Sequence, residues 1–160
     1  MANRLDLSLL EIGEPLPDWY LDKIFEDDIP TLENYLGKPL LILIFSLGCP
    51  GCLGRAIPYA NRVVYENGDK IDVLGIHTNF EAVDFSKEKF LKAREEFHIR
   101  FPFYADHNYD TTFLNYGAGG TPHWILVNRE GEVVYSIFGS EPNNALLRLE
   151  YSINELLIKQ

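Results

Sequence analysis

The chain has 160 residues, 46% hydrophobic and 24% charged, ordinary globular values that exclude a disordered tail and fit one domain at about 150 residues each. Fourteen Lys and Arg against 24 Asp and Glu give a net charge of −10 with neutral histidines. Such a chain would repel a phosphate backbone or an anionic lipid surface, so neither nucleic acid nor a membrane is expected as a partner.

Residues 1–15 lack the apolar stretch of about 7 to 15 residues and the small-residue cleavage site of a secretory signal, so a cytoplasmic protein is expected. The run Pro39–Phe45, soon followed by Gly48, is short, apolar and unbroken, which predicts a central strand buried on both faces. From Pro50 the period changes. Leu53, Ala56, Ile57, Ala60, Val63 and Val64 recur at three- and four-residue steps, the mark of a helix with one buried stripe, and Pro50 sits in its first turn, where a missing N–H costs nothing. Asn67-Gly68-Asp69 reads as a turn and Ile71–His77 as a second strand.

Asp84–His98 reads as a surface helix, with Phe90, Leu91, Arg94 and Phe97 in helical spacing and Glu88 four residues before Lys92. After Pro102 the pattern predicts loops with one short helix near Tyr109–Asn115. Pro122–Val127 and Glu132–Phe138 flank Asn128-Arg129-Glu130-Gly131 as a hairpin. Leu146, Leu149, Ile153, Leu156 and Leu157 then mark a closing helix that packs on the sheet. The predicted order is β-α-β-α-β-β-α, without repeat or linker.

The chain has two cysteines, Cys49 and Cys52, too few for the disulfide framework of a small secreted scaffold. Their C-x-x-C spacing, filled by Pro50 and Gly51, falls where a buried strand feeds a helix. If Cys49 caps that helix, the unpaired N–H groups and positive dipole end favour its thiolate over a free thiol of pKa about 8.5. An i,i+3 pair also lies near the Cα separation of about 4.4 to 6.8 Å that a disulfide needs. The same spacing supplies half of a zinc site, which would have to recruit two of His77, His98, His107 and His123 from distant positions, so no metal is assigned.

These residues, together with Gly13-Glu14-Pro15-Leu16-Pro17-Asp18-Trp19, Gly37-Lys38-Pro39, Phe101-Pro102, Tyr116-Gly117, Thr121-Pro122, Val127-Asn128-Arg129-Glu130-Gly131 and Gly139, carry a resemblance. The chain resembles the TlpA/ResA-like thiol-disulfide oxidoreductases of the redoxin (AhpC/TSA) superfamily over nearly its whole length. The resemblance implies an α/β fold, a thioredoxin-like three-layer sandwich with a central mixed β-sheet flanked by helices. It implies a single domain over 1–160, with an N-terminal extension to residue 36 and a core from 37. Cys49 would be the attacking and Cys52 the resolving cysteine, supported by Pro50 and Gly51. The Thr121-Pro122 bond would be cis and face the cysteines, leaving the Thr121 backbone to pair with an extended substrate.

Several positions depart from that pattern. Gly48 stands where an aromatic usually precedes the first cysteine, Leu43 replaces a buried acid, Arg55 replaces a glutamate, and Pro58 falls one place late. With both familiar proton acceptors missing, His77 at the end of the second strand and His123 beside Pro122 become candidates for proton transfer to and from Cys52. Arg55 and the acidic run Glu26-Asp27-Asp28 read as solvated, and Gly117-Ala118-Gly119-Gly120 as a flexible rim rather than a phosphate loop.

The expected function is therefore a thiol-disulfide oxidoreductase, exchanging a Cys49–Cys52 dithiol or disulfide with a disulfide-containing protein or small-molecule substrate and using an electron donor that the sequence leaves unidentified. No cofactor is called for. Two alternatives remain: a peroxiredoxin-like thiol peroxidase, for which Ser46 is suitably spaced from Cys49 but Ile42 replaces an expected proline, and a non-enzymatic metal-binding module using the same cysteines.

Overall fold

A computed structural model describes residues 10–80 and 85–159. Six strands form one mixed sheet: β1 Leu21–Asp22, β2 Leu40–Phe45, β3 Asp72–His77, β4 Phe103–Asp106, β5 His123–Val127 and β6 Val133–Phe138. Their spatial order is β1-β4-β3-β2-β5-β6. β2, β3 and β4 run parallel, while β5 and β6 form the predicted antiparallel hairpin and β1 pairs antiparallel with β4. The α-helices are α1 Ile57–Asn67, α2 Lys87–Glu96, α3 Thr111–Asn115 and α4 Ala145–Ile158.

All six residues of β2 are buried, and strand alternation sends them to two cores. Leu41, Leu43 and Phe45 pack with Ile57, Ala60 and Val63 of α1, Phe90 of α2, and Leu149 and Ile153 of α4. Leu40, Ile42 and Ile44 face the other way, onto Phe113 of α3, Tyr104, Tyr116, Leu16 and Leu21. Helices on both faces of a parallel-centred sheet give the three-layer α/β sandwich, and explain why β2 reads as an unbroken apolar run rather than an alternating one.

Two strands are absent from the order predicted above. β4 lies in the interval read as loop. It has four residues, pairs with β3 only across Gly75–His77, and is too short to show a period. β1 has two residues and is held by β4, with the backbone N–H of His107 donating to the Tyr20 carbonyl at 2.9 Å just beyond it. The segment before Gly37 also runs along the opposite margin of the sheet, where Gly13 N–H donates to the Val133 carbonyl and Val133 N–H to Glu14, at 2.8 and 2.9 Å. α2 begins after Ser86, whose hydroxyl accepts from Lys89 N–H; Asp84, the predicted start, lies outside the described residues.

Gly75 in β3 is a close-packing position. A Cβ there would come within 2.8 Å of Phe101 Cε2 and of Phe103 Cβ, and 3.1 Å of Phe45 Cε1. Gly75→Ala should destabilise the fold by about 1–3 kcal/mol through overpacking, seen as a lower urea midpoint with an unchanged slope. An unchanged midpoint would contradict this packing.

Candidate active site

β2 ends at Phe45, and the chain turns into a helix over the next few residues. The Leu47 N–H donates to Nε2 of His77 at 3.1 Å, the Gly48 N–H to Oγ of Ser46 at 3.2 Å, and the Cys49 N–H to the Ser46 carbonyl at 3.1 Å. The Leu47, Gly48 and Cys49 amides are thus satisfied. The Cys49 carbonyl accepts from Cys52 and Leu53 N–H at 3.1 and 3.2 Å, and its Sγ accepts from Cys52 N–H at 3.3 Å. Cys49 therefore caps the helix with its sulfur, the role that Ser or Asp plays at other helix starts.

The next turn is wider than an α-helix. Cys52–Ala56 is a π-turn, in which Ile57 N–H reaches back five residues to the Cys52 carbonyl. A π-turn holds one residue more than an α-turn, which is how Pro58 falls one place late without displacing the cysteines. Pro58 then occupies the first turn of α1, where its absent N–H is not missed. Arg55 is exposed on this turn, the solvated position its sequence suggested.

The two thiols differ in environment. Cys49 is partly exposed and Cys52 is fully buried. Burial works against ionising Cys49, but hydrogen bonds to its sulfur from the Cys52 thiol, the Thr121 side chain and the backbone N–H groups of Cys52 and Gly51 outweigh it, and its pKa lies below the ordinary thiol value. Burial pushes Cys52 up to about 12, helped by its hydrogen bond to Cys49 and by the charge there. One thiol is set to ionise and the other to stay protonated and donate to it.

Thr121-Pro122 is cis and faces the cysteines. In its protonated form Cys49 donates from Sγ to the Thr121 carbonyl at 3.4 Å. Pro122 also packs toward Gly51, where a Cβ would lie 3.9 Å from Pro122 Cδ, an ordinary contact, and 3.1 Å from Ser140 Oγ, so a side chain at the second variable position of the motif would have to displace that hydroxyl by a few tenths of an ångström. A small cavity of about 200 Å³ opens beside Cys49, lined by Ser46, Gly48, Asn79, Phe80, Phe85 and Thr121. Ser46 is the residue whose spacing from Cys49 the sequence already shows; Phe80, Phe85 and Ser140 carry no such signal, because only the β3–α2 and β6–α4 connections bring them close to the cysteines.

Neither histidine reaches a cysteine sulfur among the described residues. His123 is turned to the other side of β5. Its Nδ1 accepts from Gly119 N–H at 3.3 Å, which leaves Nε2 to donate to Ser136 Oγ at 2.8 Å. His77 accepts from Leu47 and stands T-shaped to the rings of Phe45, Phe85 and Phe90. Burial lowers both to about 4, so both are neutral at pH 7, and the proton-transfer role expected for them is corrected to one of hydrogen-bonded packing. His98 and His107 are exposed, the latter against Asp22 at 3.1 Å. Among the described residues no group of three His, Cys, Asp or Glu side chains is placed to hold a metal ion.

The sequence profile of the redoxin family matches residues 12–153. The chain belongs to the redoxin family. With that membership goes the general class of oxidoreductase. The structure is similar to a thioredoxin-like superfamily protein, with 30% identity, TM-score 0.78, and 91% of this chain and 97% of that one covered. It is also similar to a thiol-disulfide isomerase from Corynebacterium glutamicum, with 25% identity, TM-score 0.73, and 95% and 97% covered. The thioredoxin domain of a thiol-disulfide oxidoreductase from Bacteroides vulgatus shares the fold at 22% identity, TM-score 0.68, over 89% and 97% of the two chains. No curated protein sequence gives a significant match. The α/β three-layer sandwich and the TlpA/ResA-like resemblance read from the sequence agree with these findings.

Two measurements check this electrostatic picture. Thiolate absorbance of the reduced protein should show one cysteine ionising below the ordinary thiol range and the second remaining protonated to about 12; two thiols titrating together would contradict it. The histidines give a stability slope. Unfolded, they bind protons near their ordinary 6.5; folded, only near 4. The unfolded state therefore takes up more protons as pH falls through this window, and stability should decline from about pH 6.5 toward pH 4. A His77→Gln, His123→Gln double variant should lose that part of the slope, and an unchanged slope would contradict the assignment.

Proposed function

We propose that this redoxin exchanges disulfides through Cys49 and Cys52, with Cys49 as the attacking and Cys52 as the resolving thiol. The observation that carries the reading is the hydrogen-bonded cap at Cys49: its sulfur is partly exposed, faces the cis Thr121-Pro122 bond and is favoured as a thiolate. The Cys49 thiolate attacks one sulfur of a substrate disulfide, the substrate S–S bond breaks, and the departing sulfur leaves as a thiolate. Cys52 then gives up its proton and attacks Cys49 in the mixed disulfide, releasing the second substrate sulfur. The substrate gains two electrons and the protein ends with a Cys49–Cys52 disulfide, which a dithiol donor must reduce before the next turnover.

Burial of Cys52 makes its deprotonation the demanding step. No carboxylate or imidazole contacts its sulfur among the described residues, so its proton goes to the departing substrate thiolate or to water. The Thr121 backbone beside Cys49 suits an extended protein segment as the substrate, with small disulfides as simpler substrates. Gly48 leaves this approach open. Among the described residues no helix is long and apolar enough to cross a membrane, and a reducing, cytoplasmic setting is part of the proposal. A peroxidase reading is less well supported: Ile42 stands where that site expects a proline, and Cys52 adjoins Cys49.

Cys49→Ser should abolish disulfide exchange in an insulin-reduction or mixed-disulfide assay, whereas Cys52→Ser should accumulate the mixed disulfide, visible as a mass adduct on Cys49. Full activity in Cys49→Ser would overturn the mechanism. Stoichiometric, rapid loss of hydrogen peroxide with the reduced protein would move the function to a thiol peroxidase.

A further inference from the structure

The loop from β2 to Cys49 is fastened mainly to itself. Of the Leu47, Gly48 and Cys49 amides, Gly48 and Cys49 donate to Ser46, two and three residues away, which closes a turn without fixing where that turn sits on the sheet. Among the described residues, the Leu47 amide is the one of these three that is bound by a distant residue, His77, thirty positions along the chain. β2 and β3 pair in register with Phe45 opposite His77, and Thr78 N–H donates to the Phe45 carbonyl at 2.8 Å. The imidazole takes over where the backbone ladder stops and supplies an acceptor two residues beyond the strand end.

The acceptor is held in one orientation. Phe45, Phe85 and Phe90 stand T-shaped to the imidazole at centroid distances of 5.5, 5.0 and 4.9 Å, and His77 is 3% exposed. Because Leu47 N–H is a donor, Nε2 must carry its lone pair, so the ring proton resides on Nδ1. An imidazolium has no lone pair to offer and could not make this bond.

We infer that His77 is a positioning residue for Cys49: through Nε2 it anchors the Leu47 amide, fixes the loop against the sheet, and so keeps the Cys49 sulfur at the donor groups of the helix start. It touches no reacting atom and transfers no proton. The inference rests on the proposed role of Cys49, and it makes the buried imidazole part of what sets that cysteine's reactivity.

Two variants separate hydrogen bonding from packing. His77→Gln retains a side-chain acceptor, whereas His77→Phe keeps an aromatic ring and removes the acceptor. Thiolate absorbance and the pH profile of iodoacetamide modification at Cys49 are the readouts, with thermal unfolding measured alongside. In His77→Phe the thiolate fraction at neutral pH should fall about fivefold, the scale of one lost hydrogen bond, with partial or full recovery in His77→Gln. A wild-type Cys49 profile in folded His77→Phe would overturn the inference, as would equal loss in both variants.

Should His77→Phe not fold, the wild-type protein supplies the test by NMR. The Nε2 nitrogen shift should be that of an unprotonated acceptor, and the Leu47 amide should exchange slowly until His77 is protonated. A protonated Nε2 at neutral pH, or a rapidly exchanging Leu47 amide, would overturn it. These readouts follow the Cys49 thiol and its loop directly, so they stand apart from any failure to exchange disulfides with a partner.

Discussion

The parallel pairing of β2 with β3, running from Leu40 opposite Asp72 to Phe45 opposite His77, determines where the chain leaves the sheet and what it meets there. β2 is covered on both faces, so its register cannot slip without moving buried side chains into the wrong core. That register delivers Ser46 and Leu47 to the sheet margin, brings the His77 acceptor to the Leu47 amide, and starts the helix at Cys49. On the other side β2 pairs with β5, with Ile44 opposite His123, which sets Pro122 and Thr121 against the cysteines. Both walls of the site are thus extensions of strand pairings to one central strand.

The chemistry follows from unequal treatment of two thiols three residues apart. Both are drawn into the protein, and burial by itself would keep both protonated. Cys49 escapes because it occupies the cap, where the Cys52 amide and thiol, the Gly51 amide and Thr121 converge on its sulfur. Cys52 lies one turn deeper, fully buried, where the donated hydrogen bond stabilises its protonated form. The π-turn that follows takes up the extra residue before Pro58, so the first turn keeps the geometry the cysteines need while α1 keeps its buried stripe of Ile57, Ala60 and Val63.

The strongest elements were legible because their patterns are long or chemically singular. The apolar run of β2, the three- and four-residue spacing through α1, the hairpin across Asn128–Gly131 and the Cys49–Cys52 spacing each identify a local structure unaided. β4 escaped notice because four residues carry no period, and β1 because its two residues are strand only by virtue of β4. The histidines show a different limit. Both were recognised as residues near the site, but their distance from a sulfur depends on side-chain direction. In β5 alternation turns His123 toward Ser136, and at the end of β3 the aromatic rings hold His77 toward Leu47. Ser46 was noted only for its spacing from Cys49; that its hydroxyl and carbonyl close the loop is visible only with the backbone in place.

On the proposed mechanism Cys49 and Cys52 form one reversible redox couple. Equilibrating the protein in glutathione buffers of graded potential at neutral pH, and trapping free thiols at each point, measures that couple. A single two-electron transition is expected, with both thiols disappearing together and the Cys49–Cys52 disulfide as the sole oxidised product. Oxidation that consumes Cys49 alone, or no reversible disulfide at any potential, would contradict it.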